Sequence, residues 1–275
     1  MPGILYIVAT PIGNLDDMPP RVAATFGAAD FVAAEDTRVT LKLLNHLGLK
    51  KPMMSYYEHA LHHGAAILDR IEAGESCALC SDAGMPCISD PGEGLVALCH
   101  ENEVEIATVP GPTAAMTALA ASGLPTGKFL FEGFLPIKKG ERDAALQAVS
   151  RLPHTLIFYE APHRLRQTLA ALLEGLGDRP ITLCRELTKL HEEVVRTTLG
   201  EALTKYTETP PKGEFVLIVA GAPETVKESA SEDDAAARVA QLISQGLSRK
   251  DAVRQTAAEL GLPKNVVYDI ALGSI

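Results

Sequence analysis

The stretch from Cys80 to Gly94, Cys-Ser-Asp-Ala-Gly-Met-Pro-Cys-Ile-Ser-Asp-Pro-Gly-Glu-Gly, holds the residues whose types and spacing best suit ligand chemistry. Gly84, Gly92 and Gly94 let the backbone turn tightly and approach a ligand, Pro86 and Pro91 stiffen the path, and Asp82 and Asp90 offer acceptors at its edge. The loop contains neither G-x-G-x-x-G nor G-x-x-x-x-G-K-[ST], and two carboxylates beside a phosphate repel it unless a metal intervenes. A cationic or hydroxyl-bearing ligand fits such a loop better. An ordinary tight strand-to-helix turn uses the same residues, so the loop alone leaves both readings open.

The flanking elements give it a setting. Cys77 to Cys80 reads as a buried strand and Leu95 to His100 as a helix. Ile4 to Ala9, Phe31 to Ala34, Met53 to Tyr57 and Val104 to Val109 are further apolar runs of strand length. Helical patterns separate them, at Pro20 to Phe26, 38 to 47 and 63 to 73, followed by an alanine-rich helix ending at Ser122. Five strand-then-helix repeats predict a mostly parallel sheet with helices on both faces and the post-strand loops on one side. Gly123 to Gly127 reads as a linker. Beyond it, strands are expected at 129–135, 155–159, 181–184, 194–199 and 213–221, with helices at 138–152 and 163–174, giving a second α/β block with a mixed sheet. A polar tether at 224–233 then leads to helices at 233–245, 249–260 and 264–272, which have helix-turn-helix proportions and equally suit a packing bundle. The expected domains are thus 1–122, 123–223 and 233–275.

With 275 residues, 47% of them apolar, the chain can bury two cores. No apolar run is long enough to span a bilayer, and the N-terminus lacks the basic region and cleavage site of a secretory signal, so a cytoplasmic protein without membrane contact is expected. Five cysteines, an odd number, read as reduced thiols; the Cys77-x-x-Cys80 pair lies inside a strand pattern without a second pair, and no metal site is expected. A formal net charge of −10 argues against indiscriminate coating of nucleic acid. Any RNA contact must use local basic groups: Lys138, Lys139 and Arg142; His163, Arg164 and Arg166; Arg185 and Lys189; or Arg249, Lys250 and Arg254.

Seven ordered stretches resemble a known family. They are Leu5 to Leu15, Ala34-Glu-Asp-Thr-Arg38, Ser81 to Gly92, Val109-Pro-Gly-Pro112, Tyr159-Glu-Ala-Pro-His-Arg164, Arg185-Glu-Leu-Thr-Lys189 and Gly213-Glu-Phe215. Together they look like the small-subunit (16S) ribosomal RNA cytidine 2′-O-methyltransferases of the tetrapyrrole methylase superfamily. Departures are Ala161, where serine is common, Met85, where threonine is common, and a rather acidic overall charge. The resemblance implies two α/β domains with a cofactor cleft between them and a helix-turn-helix appendage. It also implies S-adenosyl-L-methionine as methyl donor, a homodimer, and a substrate within the small ribosomal subunit. By the same resemblance Pro11, Ile12, Asp82, Ala83, Gly84, Met85, Ile88, Thr113, Ala114, Glu160 and Gly221 line the cofactor site, with Asp82 the expected side-chain participant.

Transfer of a methyl group to a ribose 2′-oxygen needs positioning and a base for the hydroxyl proton. Asp36, Glu35 and Glu160, each just past a strand end, are the candidate bases, although Glu35 and Asp36 with Arg38 equally form an ion-paired corner. Arg38, Arg164, Arg185 and Lys189 are the expected RNA contacts at the cleft rim. The competing expectation is that these cations pair with neighbouring carboxylates. Two other functions fit parts of the pattern: methylation of a small tetrapyrrole, and noncatalytic RNA binding in ribosome assembly.

Overall fold

The computed structural model describes residues 2–57, 61–223 and 232–273. These form two units, Met1–Ala222 and Pro223–Ile275. The larger unit contains two five-stranded sheets.

The first sheet follows from the strand-helix alternation. Its elements are β1 (Ile4–Val8), α1 (Pro20–Ala28), β2 (Phe31–Ala34), α2 (Thr37–His46), β3 (Met53–Ser55), α3 (Leu61–Glu72), β4 (Cys77–Cys80), α4 (Glu93–Glu101) and β5 (Glu105–Val109). All strands are parallel, in the order β3-β2-β4-β1-β5. β2 and β4 are buried at every position, as their unbroken apolar runs require. Val22, Phe26 and Leu44, from α1 and α2, pack on one face with Val8 and Val32; Ile67, Ile71, Leu95 and Cys99, from α3 and α4, pack on the other with Leu5 and Leu79.

The alanine-rich helix α5 (Ala114–Ser122) departs from the expected boundary at residue 122. It packs on the second sheet, where Ala115, Ala118 and Leu119 meet Ile157, Cys184, Val216 and Ile218. The chain therefore crosses between the two sheets at Pro110-Gly111-Pro112, before the helix and not after it.

The second sheet is built from β6 (Phe129–Phe134), α6 (Lys139–Val149), β7 (Thr155–Glu160), α7 (Leu165–Leu176), β8 (Pro180–Arg185), β9 (Glu193–Thr198), α8 (Leu199–Glu208) and β10 (Phe215–Val219). The order is β6-β7-β10-β8-β9. β6 and β7 are parallel, whereas β10 runs antiparallel to β7 and β8, so the sheet is mixed as the sequence predicts. Helix α8 has no counterpart in the sequence reading, because Gly200 and two threonines weaken its intrinsic signal. Packing overrides this: Leu199, Ala202 and Tyr206 join the core. Each large side chain buried contributes about 1.5–3 kcal/mol, more than the roughly 1 kcal/mol that a helical glycine costs. The Thr198 hydroxyl also caps α8 by accepting from the Glu201 amide.

The smaller unit holds α9 (Glu232–Ser244), α10 (Arg249–Leu260) and α11 (Lys264–Gly273), around Val239, Leu242, Val253, Val267 and Ala271. Ser248 caps α10 and Gly261 closes it in the left-handed conformation. Of the stretch 224–233 expected as a tether, residues 224–231 lie outside those described. Among the described residues no helix is long and apolar enough to cross a membrane.

Candidate functional site

Strand direction assembles the site. The segments after β1, β4 and β5 approach the ends of β7 and β8 and the beginning of β10, enclosing a cavity of about 220 Å³. Carboxyl ends of parallel strands are where open α/β sheets hold ligands.

The cavity wall on the first sheet's side depends on Gly84. Thr10 N–H donates to the Gly84 carbonyl at 2.8 Å and Gly84 N–H to the Thr10 carbonyl at 3.1 Å, an isolated bridge that ties the loop after β4 to the end of β1. Gly84 has φ +84°, and a Cβ there would lie 3.3 Å from Ile12 Cγ2 and 3.7 Å from the Pro112 carbonyl oxygen. A side chain would be strained by both the backbone and the crowding. Opposite, the Tyr159 phenol oxygen accepts from the Ala115 amide at 3.1 Å, joining β7 to the first turn of α5. Burial pushes this phenol's pKa up.

Eight residues expected from sequence line the cavity: Ile12, Ala83, Gly84, Met85, Ile88, Thr113, Ala114 and Glu160. Three others do not. Pro11 and Asp82 border an adjoining hollow instead, together with Thr10, Val39, Lys42 and His46. The Asp82 carboxylate accepts from the Asp36 amide at 3.1 Å, and the Asp82 amide donates to Glu35 Oε2 at 3.2 Å, so these groups stitch the ends of β2 and β4 together. Burial, with the like charge of Asp36 behind it, raises the pKa of Asp82. Gly221 lies past the far end of β10, where a Cβ would fall 2.3 Å from Pro153 backbone atoms. Because β10 is antiparallel, its start reaches the cavity, through Glu214, Phe215 and Val216.

The candidate bases are already engaged. Asp36 caps α2 by accepting from the Arg38 amide at 2.8 Å and pairs with the Arg38 guanidinium at 2.6 Å. The hydrogen bond from that guanidinium holds its pKa down to about 2, too low for effective proton acceptance near neutrality. The Glu160 side chain is fully buried, accepting from the Ala161 amide at 2.8 Å and from the Thr168 hydroxyl, with Arg164 Nε 3.5 Å away. Glu35 receives the Asp82 amide. Asp90 lines the cavity as well. Burial, reinforced by the charges of Glu35 and Asp82 and opposed by a hydrogen bond from Ser81, raises its pKa to about 6. In the sequence Asp90 and Asp82 share one loop as equivalent acceptors; only the path of the backbone separates them.

The expected RNA-contacting cations are paired internally. Arg164 Nη2 donates to the Leu135 carbonyl, and Arg185 Nε to Glu193 Oε2 at 3.0 Å. Lys189 Nζ lies 2.9 Å from Glu186 Oε1 and 2.7 Å from Glu214 Oε2. Arg38 is 87% exposed but bound to Asp36. The smaller unit offers a different cationic surface, a hollow lined by Arg249, Lys250, Arg254 and Lys264 with Val253, Asn265, Tyr268 and Asp269, in which Arg254 pairs with Asp251 at 2.9 Å.

With apolar walls, a glycine-permitted close approach and several carboxylates, the cavity residues fit a ligand that combines an apolar body with positive charge. Among the described residues no cluster of three or more His, Cys, Asp or Glu is arranged to hold a metal.

A model of the family described as Tetrapyrrole (Corrin/Porphyrin) Methylases matches residues 4–203, and one described as RsmI C-terminal HTH domain matches residues 229–274. The chain is 47% identical over 272 residues to the ribosomal RNA small subunit methyltransferase I of Synechocystis sp., covering 98% of each protein. This chain belongs to that family of tetrapyrrole methylases. The protein of the same name from Halalkalibacterium halodurans is 46% identical, over 98% of this chain and 94% of that one. Among solved structures, the methyltransferase CobJ superposes on this tetrapyrrole methylase with a TM-score of 0.62 at 19% identity, covering 80% of this chain and 95% of that one. A uroporphyrin-III C-methyltransferase from Thermus thermophilus, complexed with S-adenosyl homocysteine, superposes with a TM-score of 0.55 at 20% identity, over 78% and 97% of the two chains. At these identities the likeness is one of fold.

Proposed function

We propose that this protein transfers the methyl group of S-adenosyl-L-methionine to the ribose 2′-oxygen of a cytidine in small-subunit (16S) ribosomal RNA. The observation that carries the reading is near-full-length identity of 47% to a ribosomal RNA small subunit methyltransferase I, in a chain whose cavity is lined by the loops that the sequence singled out. Ile12, Ala83, Gly84, Met85, Ile88, Thr113 and Ala114 would hold the donor, with neighbouring carboxylates suited to its ammonium and sulfonium charges. When bound, the donor supplies an electrophilic methyl group. The protein's share is to exclude water, orient the ribose oxygen and accept its proton.

RNA engagement in this reading rests on the hollow of the smaller unit, because its four cations and Tyr268 can meet phosphates and stack on a base. The protein acts as a cytoplasmic homodimer on the assembled or assembling small subunit. The test is incubation of purified protein with labelled donor and small subunits from cells lacking it, followed by nucleoside mass spectrometry. Label in 2′-O-methylcytidine supports the reading. Transfer to porphyrinoids alone would make the protein a small-tetrapyrrole methylase, and absence of donor binding would leave a noncatalytic RNA-binding factor.

A further inference from the structure

Four carboxylates line the cavity: Asp90, Glu160, Glu186 and Glu214. Three are committed to the fold. Glu160 is fully buried among its donors, and Glu186 and Glu214 share the Lys189 ammonium, with Glu186 also receiving the Glu214 amide at 2.9 Å. Asp90 is different: among the described residues it makes no ion pair, and a serine hydroxyl, not a cation, is the group that favours its charge. Glu35 faces it from the end of β2, Asp82 and Ser81 from the segment after β4, Tyr159 from β7 and Cys87 from its own loop. Asp82 borders the adjoining hollow, whereas Asp90 lines the cavity itself, beside Ile88, Tyr159 and Glu160 in its wall.

The backbone of this loop is held in a costly shape. Cys87 and Ser89, neither of them glycine, adopt φ values of +70° and +60°. Such conformations persist where the surroundings enforce them, and they gather at functional sites.

We propose that Asp90 is the general base of the methyl transfer, taking the proton of the attacking ribose 2′-hydroxyl. This rests on the reaction proposed above. An oxygen lone pair forms the new O–C bond, the S–C bond of the donor breaks with its electron pair left on sulfur, and the hydroxyl proton moves to the Asp90 carboxylate, from which solvent removes it. A carboxylate that titrates near pH 6 is ionised at neutral pH yet basic enough to share a proton during attack. Asp36, held at about 2, lacks that basicity.

The test compares wild type with Asp90→Asn and Asp90→Glu on small subunits, alongside donor affinity by calorimetry. Asp90→Asn is expected to lower kcat by roughly 10²- to 10⁴-fold with donor affinity nearly unchanged. Wild-type kcat should rise with pH and level off above about 6, and the residual activity of Asp90→Asn should lack that limb. Asp90→Glu should recover part of the rate. A second readout needs no donor. Since folding raises the Asp90 pKa from 3.8 to about 6, the wild type loses stability as pH rises between these values, so Asp90→Asn should gain relative thermal stability from pH 4 to pH 7.

An Asn variant that keeps kcat and the acid limb would overturn the role of Asp90 while leaving the reaction intact. So would one that only weakens donor binding and keeps kcat at saturation, which would make Asp90 a ligand of the donor. Failure of wild-type protein to methylate any ribose would instead overturn the reaction, and Asp90's role with it.

Discussion

The Asn14 amide donates to Thr188 Oγ1 at 3.1 Å, linking residues 174 positions apart across the two sheets of the larger unit. Beside this bond, a Cβ on Gly13 would fall 2.8 Å from Thr188 Oγ1 and 3.0 Å from the Leu187 carbonyl. The post-β1 loop is therefore seated directly on the segment after β8, and Ile12 and Leu187, on the two sides of that seat, both line the cavity. Gly13→Ala is expected to open this seam and weaken S-adenosylmethionine binding by roughly tenfold, about 1.4 kcal/mol. Calorimetric titration with the donor measures this; unchanged affinity would show that the seam does not set the cavity.

Gly84→Val should abolish donor binding while the protein stays folded. The branched side chain meets Ile12 and cannot adopt φ +84° without strain, but the crowding is confined to the cavity wall. Circular dichroism and the same titration separate the two effects. A folded variant with wild-type affinity would remove the loop from the site.

Arg38, Arg164 and Arg185, expected at the cleft rim, are absent from the cavity lining and carry a prediction opposite to the one their sequence positions invite. Arg164→Ala removes the cation beside the buried Glu160 carboxyl, which keeps the Ala161 amide and the Thr168 hydroxyl, and frees the Leu135 carbonyl; this should cost about 2–3 kcal/mol, less than loss of a sole, fully buried partner. RNA affinity should fall only as far as the fold is weakened. Lys250→Glu, by contrast, should leave thermal stability unchanged, lower RNA affinity and flatten its salt dependence by about one cation's worth or more. Thermal unfolding and filter binding at several salt concentrations check both, and a stable Arg164→Ala that binds RNA poorly would reverse the assignment.

Asp36 sets a pH dependence of the opposite sign to that of Asp90. Its folded pKa of about 2 lies below the ordinary 3.8, so its stabilising contribution is fully present above pH 4 and disappears as pH falls through 2. Asp36→Asn retains an α2 cap but loses the charge, so its deficit relative to wild type should be visible at pH 6 and shrink on acidification. A deficit independent of pH would mean that the cap geometry, not the carboxylate's ion pair, is what matters.

Much of this arrangement was legible in the sequence, and the misses share a cause. Parallel strands buried on both faces announce themselves as unbroken apolar runs, so Phe31–Ala34 and Cys77–Cys80 read as strands to the residue, and residues of the loop after Cys80 line the cavity. Strand direction is not written in local pattern. Gly213 to Gly221 reads as a strand either way, and only the antiparallel pairing of β10 decides that Phe215, and not Gly221, reaches the cavity. Side-chain partnership is equally silent. Arg185 has Glu186 beside it in sequence but pairs with Glu193 on β9, and Asp82 bridges to Asp36 while Asp90, eight residues on, lines the cavity.

The central claim is best tested by the position of the transferred methyl group. Small subunits lacking the modification, incubated with the purified protein and isotopically labelled S-adenosylmethionine, should yield labelled 2′-O-methylcytidine at a single site, with the label lost in Gly84→Val. Label on a base carbon or nitrogen, or donor binding without any transfer to the subunit, would contradict the account.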